Sequence, residues 1–229
     1  MRINIVTIFP RFFAEPLATS IPGRARDAGA VEYRIVDLRE FTHDRHRTVD
    51  DLPYGGGAGM VMKPEPFFEA VEHLEPRGPV VLLSPRGKLF THDDAVRYAV
   101  ESELTLLCGH YKDVDQRVAE HLADEEVSLG DFVLSGGEIP ALAVTDAVVR
   151  LLPGVLGDHG SAASDSFYDE PLLSAPSWTR PAEYRGLPVP DVLRTGDHAR
   201  IEAFRKALRE RITRENRPDL WRKARGEDA

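Results

Sequence analysis

The sequence predicts an α/β fold with a mostly parallel sheet, and three observations carry this. Short apolar, often β-branched runs of strand length recur through the first half of the chain. Helix-compatible stretches lie between them, the alternation that builds parallel sheets. A run such as Val80-Val81-Leu82-Leu83 has no polar side, which suits a strand covered on both faces.

Each element follows in order. Residues 3–9 read as a buried strand that Pro10 stops. Residues 11–28 suit a helix, interrupted by Pro16 and Pro22. A second strand is expected at 33–38 and a helix at 65–74. A third strand, 79–83, is closed by Ser84-Pro85-Arg86-Gly87, and a helix at 92–101 follows. The fourth strand, 104–108, is closed by Gly109. Residues 139–152 read as a helix with Pro140 in its first turn, where a missing N–H costs nothing. Pro153-Gly154 ends it.

Residues 157–176 then lose periodicity and gather Gly, Ser and Pro, the mark of a long loop. Asp197 is placed to cap a last helix, on which Ile201, Phe204, Leu208 and Ile212 form one apolar stripe. The expected organisation is an α/β body, a loop and a small helical module.

At 229 residues, 42% hydrophobic and 29% charged, the chain has ordinary globular composition. No window offers the roughly 18 uninterrupted apolar residues of a membrane span. The opening Arg2-Ile3-Asn4-Ile5-Val6 lacks the pattern of a secretory leader, so none is expected. A single cysteine, Cys108, excludes an internal disulfide framework and points to a reducing, cytoplasmic location.

The net charge of −9 argues against nucleic acid, but its distribution does not. Residues 200–225 hold ten Lys/Arg against four Asp/Glu, a net +6, and the first 199 residues carry −13. Attraction to phosphate is local at physiological salt, so a basic tail on an acidic body matters more than the total.

Familiar nucleotide motifs are absent: there is no G-x-x-x-x-G-K-[ST], and no G-x-G-x-x-G after the first strand. Instead, three glycine turns follow strand-like runs: Ser84-Pro85-Arg86-Gly87, Gly109-His110-Tyr111, and Leu129-Gly130-Asp131-Phe132-Val133-Leu134-Ser135-Gly136-Gly137. Taken singly each is an ordinary turn. Together they suit one adenosine-like ligand at the carboxyl ends of the strands, where glycine lets backbone approach closely.

A second constellation is Thr42-His43-Asp44-Arg45-His46-Arg47-Thr48-Val49-Asp50-Asp51. It is followed by a loop with Gly55, Gly56, Gly57 and Gly59. That composition suits either an exposed linker or a mobile loop over a polar substrate. A third pairs Arg150 with Ser161, Asp165, Ser166 and Phe167, a guanidinium and a carboxylate of the kind used as charge stabiliser and general base. A surface ion pair is the plainer reading of those two charges.

In order, these segments resemble the bacterial tRNA (guanine-N1)-methyltransferase family. The matching residues are Phe41-Thr42-His43-Asp44, Thr48-Val49-Asp50-Asp51, Pro53-Tyr54-Gly55-Gly56-Gly57 with Gly59-Met60, and Cys108-Gly109. The match continues through 130–140, Arg150-Leu151-Leu152-Pro153-Gly154-Val155-Leu156-Gly157, Asp165-Ser166-Phe167 and Ser177-Trp178-Thr179-Arg180-Pro181, with Gly196-Asp197-His198 and Arg217-Pro218-Asp219-Leu220 near the end. One segment departs: His110-Tyr111-Lys112-Asp113 stands where the family pattern is Arg-Tyr-Glu-Gly.

The resemblance implies a SPOUT-type trefoil-knotted sheet domain with a small C-terminal helical domain. It divides the chain into a catalytic domain at 1–157, a flexible interdomain loop at 158–176 that orders on tRNA, and a basic tRNA-binding domain at 177–229. It implies methyl transfer from S-adenosyl-L-methionine to N1 of guanosine 37 of tRNA, next to the anticodon, by a homodimer with shared active sites. Asp165 is then the general base and Arg150 the charge stabiliser. Leu83, Ser84, Pro85, Gly109, Leu129, Gly130, Asp131, Phe132, Val133, Leu134, Gly136 and Gly137 are expected around the cofactor. His46, Asp50, Gly55, Gly56, Gly57, Gly59, Ser161 and Ser166 are expected to handle the target nucleotide. No residue is assigned to a metal, and Lys112 and Asp113 leave magnesium open. Two competing readings stand beside this one: a non-catalytic RNA-binding module of the same fold, or a methyltransferase for another RNA.

Overall fold

The computed structural model describes residues 1–156 and 165–227. It divides into two compact units, Met1–Gly157 and Asp158–Ala229. In the first, a five-stranded sheet has the order β2-β1-β6-β5-β8, with β1 at Arg2–Thr7, β2 at Glu32–Asp37, β5 at Val80–Leu89, β6 at Glu103–Cys108 and β8 at Glu125–Ser128. Every pairing in it is parallel, for example Ile5 opposite both Ile35 and Leu106. The sheet agrees with the expected α/β class.

Strand alternation sends side chains to two cores. Ile3, Ile5, Val81, Leu83, Leu104 and Leu106 face one side, where Ala25 of α1 (Ser20–Asp27), Ala95 and Tyr98 of α3 (His92–Ala99), and Val144 and Val148 of α5 (Glu138–Val149) cover them. Val6, Val36, Val80, Leu82 and Leu107 face the other, under Phe67, Ala70 and Leu74 of α2 (Pro64–Leu74) and Val118 of α4 (Gln116–His121). Covered on both faces, these strands have no use for a polar side.

Three departures from the sequence reading have local causes. Residues 10–18 form two 3-10 turns, Pro10–Phe13 and Pro16–Ala18, because each proline opens a new first turn; the α-helix starts at Ser20. The strand expected to close at Leu83 does not end there. The Ser84–Gly87 segment bulges out, pairing with β8 shifts register between Leu83 and Lys88, and the strand resumes to Leu89. Gly87 permits this: a Cβ there would lie 2.3 Å from the Val127 amide nitrogen. A small sheet was not foreseen at all. It pairs β3 (Asp50–Asp51) antiparallel with β4 (Val61–Met62), and β4 parallel with β7 (Asp113–Val114). Two-residue strands carry too little pattern to read.

Among its described residues the second unit holds a short hairpin, β9 (Glu183–Tyr184) with β10 (Leu187–Pro188), a 3-10 turn at Asp191–Arg194, and two α-helices, α6 (His198–Asn216) and α7 (Pro218–Ala224). Asp197 caps α6, accepting from the Arg200 amide at 3.1 Å. Residues 157–164, the first part of the expected flexible loop, lie outside the described residues. From 165 onward the segment is tied in place. Leu172 is buried, and the Leu173 amide donates to Thr213 Oγ1 of α6 at 2.9 Å.

Candidate active site

The Ser84–Gly87 bulge of β5 and the turns after β6 and β8 meet at the carboxyl edge of the large sheet and line one cleft. Of the residues expected around a cofactor, Leu83, Ser84, Pro85, Gly109, Leu129, Gly130, Phe132, Val133, Leu134, Gly136 and Gly137 line it. Asp131 does not; it is exposed beside them.

Close backbone packing builds the floor. The Gly137 amide donates to the Gly109 carbonyl at 2.8 Å, joining the third turn to the second. A Cβ on Gly137 would stand 2.7 Å from Cys108 Cα, and one on Gly109 would stand 2.8 Å from Val114 Cγ2. Such contacts exclude a side chain at either position. At the rim, Phe132, Val133 and Leu134 are exposed, an apolar loop facing solvent. Leu83 and Leu129 give the cleft apolar walls, and Pro85 and Pro140 add rings. Apolar surface bordered by loop backbone fits the flat face and polar edge of a purine nucleoside.

Behind the floor lies a buried polar cluster. The Thr7 hydroxyl at the end of β1 donates to Glu138 Oε1 at 2.8 Å, and His110 Nδ1 lies 3.8 Å from Glu138 Oε2. Glu138 opens α5, where the helix dipole favours a carboxylate. Burial, and then the Glu138 charge, push the Cys108 thiol well above its ordinary value, so Cys108 is a packing residue and not a nucleophile.

The charged lining was not anticipated. Arg86 reaches across the mouth to make a two-pronged ion pair with Asp113, and its Nη2 lies 3.7 Å from Glu126. His110 and Lys112 also line the cleft. In the sequence Arg86 and His110 stood inside glycine turns, and Lys112 and Asp113 stood out as the segment that departs from the family pattern.

The residues expected at the target nucleotide fall in several places. The small sheet puts the glycine loop, Gly55 to Gly59, next to the 110–114 turn: the Lys112 amide donates to Met60 O at 3.1 Å and the Asp115 amide to Met62 O at 2.9 Å. Asp50 lies in β3. His46 is exposed in a turn where its amide donates to Asp44 Oδ2 at 2.9 Å. Arg150 is the C-cap of α5 in the first unit. Asp165 and Ser166 belong to the second unit, where Ser166 Oγ accepts from the Ser174 amide at 2.8 Å. Asp165 borders a groove there with Trp178, Arg180, Arg205 and Arg209. Ser161 lies outside the described residues. Among the described residues no group of three or more His, Cys, Asp or Glu is arranged to hold a metal ion. No helix among them is long and apolar enough to cross a membrane.

Comparison with known proteins places this geometry. The family described as tRNA (Guanine-1)-methyltransferase TrmD matches residues 1–223. A tRNA (guanine-N(1)-)-methyltransferase of Gloeobacter violaceus is 54% identical over 226 residues, covering 96% of this chain and 98% of its own. Proteins of the same name from Geobacillus kaustophilus and Bacillus subtilis are each 48% identical, over 96% of this chain and 91% and 92% of theirs. A match along nearly the whole length, at about half the positions, settles the relationship: the chain belongs to the tRNA (guanine-1)-methyltransferase TrmD family.

Proposed function

We propose that this tRNA (guanine-N1)-methyltransferase takes its methyl group from S-adenosyl-L-methionine and places it on guanosine 37, next to the anticodon. The observation that carries the reading is the meeting of three glycine-containing segments in one cleft with apolar walls and an exposed apolar loop, Phe132 to Leu134, at its rim. When bound, the donor supplies an electrophilic methyl on a sulfonium. Leu83, Pro85, Leu129 and Pro140 give its adenosine an apolar seat, and the 130–134 loop offers backbone groups to its edge.

The difficulty at the acceptor is a proton. Guanine N1 carries one at neutral pH and is a poor nucleophile until it is removed. Asp165 takes that proton as general base. Arg150 holds the negative charge that collects on the guanine oxygen, an interaction worth most where water is excluded. The Gly55–Gly59 loop, with His46 and Asp50, holds the nucleotide after it leaves the anticodon-loop stack. The basic faces of α6 and α7 bind RNA phosphates.

A trefoil-knotted first unit, a homodimer in which each site draws on both chains, and a cytoplasmic location belong to the same proposal. We assign no residue to magnesium.

The test is methyl transfer from labelled donor to two tRNA transcripts, one with guanosine at 37 and one with adenosine. Label recovered as 1-methylguanosine from the first alone is the expected result. Label on both transcripts would overturn the position. Asp165→Ala is expected to lower turnover at least a hundredfold while donor binding, read by calorimetry, stays within twofold. Near-normal turnover would remove Asp165 as the base.

A further inference from the structure

The charged side chains lining the cleft sort themselves. Arg86 and Asp113 neutralise one another, and His110 faces the buried Glu138. Lys112 is left, exposed and with no carboxylate partner among the described residues. Its backbone is anchored by the amide bond to Met60 O at 3.1 Å. Its side chain lies along the glycine loop: a Cβ on Gly59 would stand 3.3 Å from Lys112 Cβ, and one on Gly57 would stand 3.4 Å from Lys112 Nζ. The absence of side chains at 57 and 59 thus leaves room for the lysine stem and brings its ammonium beside bare loop backbone. Gly55, Gly56, Gly57 and Gly59 all adopt positive φ, from 77° to 117°, so the backbone curls there in a way that other residues resist.

We infer that Lys112 and the Gly55–Gly59 loop form a binding site for a phosphate of the RNA backbone at the target nucleotide. A compact ammonium next to turned, side-chain-free backbone is the chemistry that receives a phosphate oxygen. Net charge favours this ligand over the methyl donor. The donor carries a sulfonium and an ammonium against one carboxylate, a net cation, whereas an RNA phosphate is an anion with no cation of its own to offset it. The inference rests on the reading that the chain binds tRNA, and it adds a positioning residue to that reading: by holding the backbone, Lys112 orients the base.

The test uses the full chain and an unmodified tRNA transcript with guanosine at 37, with affinity measured from 50 to 200 mM salt. Lys112→Gln should weaken binding three- to tenfold at the higher salt. It should also flatten the slope of log K against log salt by about 0.7–0.9, the loss of one phosphate contact. Lys112→Arg should restore most of both. Lys88→Gln, which removes the same charge from an ion-paired lysine outside the cleft, should leave the slope unchanged. Donor binding by Lys112→Gln, read by calorimetry, should stay within twofold. An unchanged slope overturns the proposal. So does weakened donor binding with tRNA affinity intact, which would assign Lys112 to the donor's carboxylate. If the wild-type chain binds tRNA with this lysine-dependent slope but leaves guanosine 37 unmethylated, the proposed position of methylation falls and the phosphate site stands.

Discussion

At the scale of single residues, the cleft is specified by what is missing from it. Gly137 has an ordinary backbone (φ −77°) and is glycine only because Cys108 and Gly109 pass so close. Gly137→Ala forces the 2.7 Å contact apart, and both partners are backbone, which cannot swing aside. We expect a loss of about 2–3 kcal/mol, read as a lower urea midpoint, together with weakened donor binding. Gly154→Ala is the control. Its φ of +78° strains an alanine, but nothing lies within 4 Å of the added methyl, so about 1 kcal/mol is expected and no change at the cleft. Equal losses in the two would mean that conformation, and not packing, selects glycine at 137. The sequence placed Gly137 in a glycine turn and Gly154 at the end of a helix. It could not show which was chosen for space and which for backbone angle, because that depends on a neighbour some thirty residues away.

At the scale of elements, the long apolar strands were legible because burial on both faces leaves a continuous signature, as in β5 and β6. β8 was not, since Glu125-Glu126 opens it with two carboxylates. Its edge position explains how it tolerates them. Glu125 joins β8 to α3 and β5 through Arg97 (2.9 Å), Lys88 (2.9 Å) and the Tyr98 hydroxyl (2.7 Å), and Asp94 adds a second bond to each cation. Burial opposes ionisation of both carboxylates. Hydrogen bonds from Arg97, Lys88 and Tyr98 to Glu125, and from Arg97, Thr91 and Lys88 to Asp94, outweigh it and hold each pKa at about 2. Both folded values lie below the unpaired ones of 4.5 and 3.8, so the network's stabilisation is complete above pH 4.5 and is lost as pH falls toward 2. Glu125→Gln should therefore cost about 1–2 kcal/mol at pH 7 and much less near pH 2.5. Denaturant titrations of wild type and variant at the two pH values check this; a gap that stays constant would mean that shape, and not charge, is what Glu125 supplies.

At the scale of the whole molecule, the charge asymmetry read from the sequence coincides with an element boundary. The +6 stretch is α6 and α7 with their flanks. Some of that charge is spent internally: Arg217 pairs with Asp219, Arg225 with Glu227, and Arg209 Nε donates to the Leu173 carbonyl. Lys206, Arg211 and Arg214 are exposed on α6 with no carboxylate partner among the described residues. The apolar stripe explains why they face outward. Leu208 is buried, Ile201, Phe204 and Ile212 are half-buried, and the basic residues take the remaining face. An α-helix dense in cations repels itself, and three unpaired charges on one helix are better explained by a polyanion than by folding. Neutralising Lys206, Arg211 and Arg214 together to Gln should leave donor binding unchanged and raise folding stability slightly. It should lower tRNA affinity tenfold or more at physiological salt and flatten the slope of log K against log salt by about 2–3. A triple variant that binds tRNA with the wild-type slope would confine RNA recognition to the remaining basic residues of the chain, and the exposed cations of α6 would need another partner.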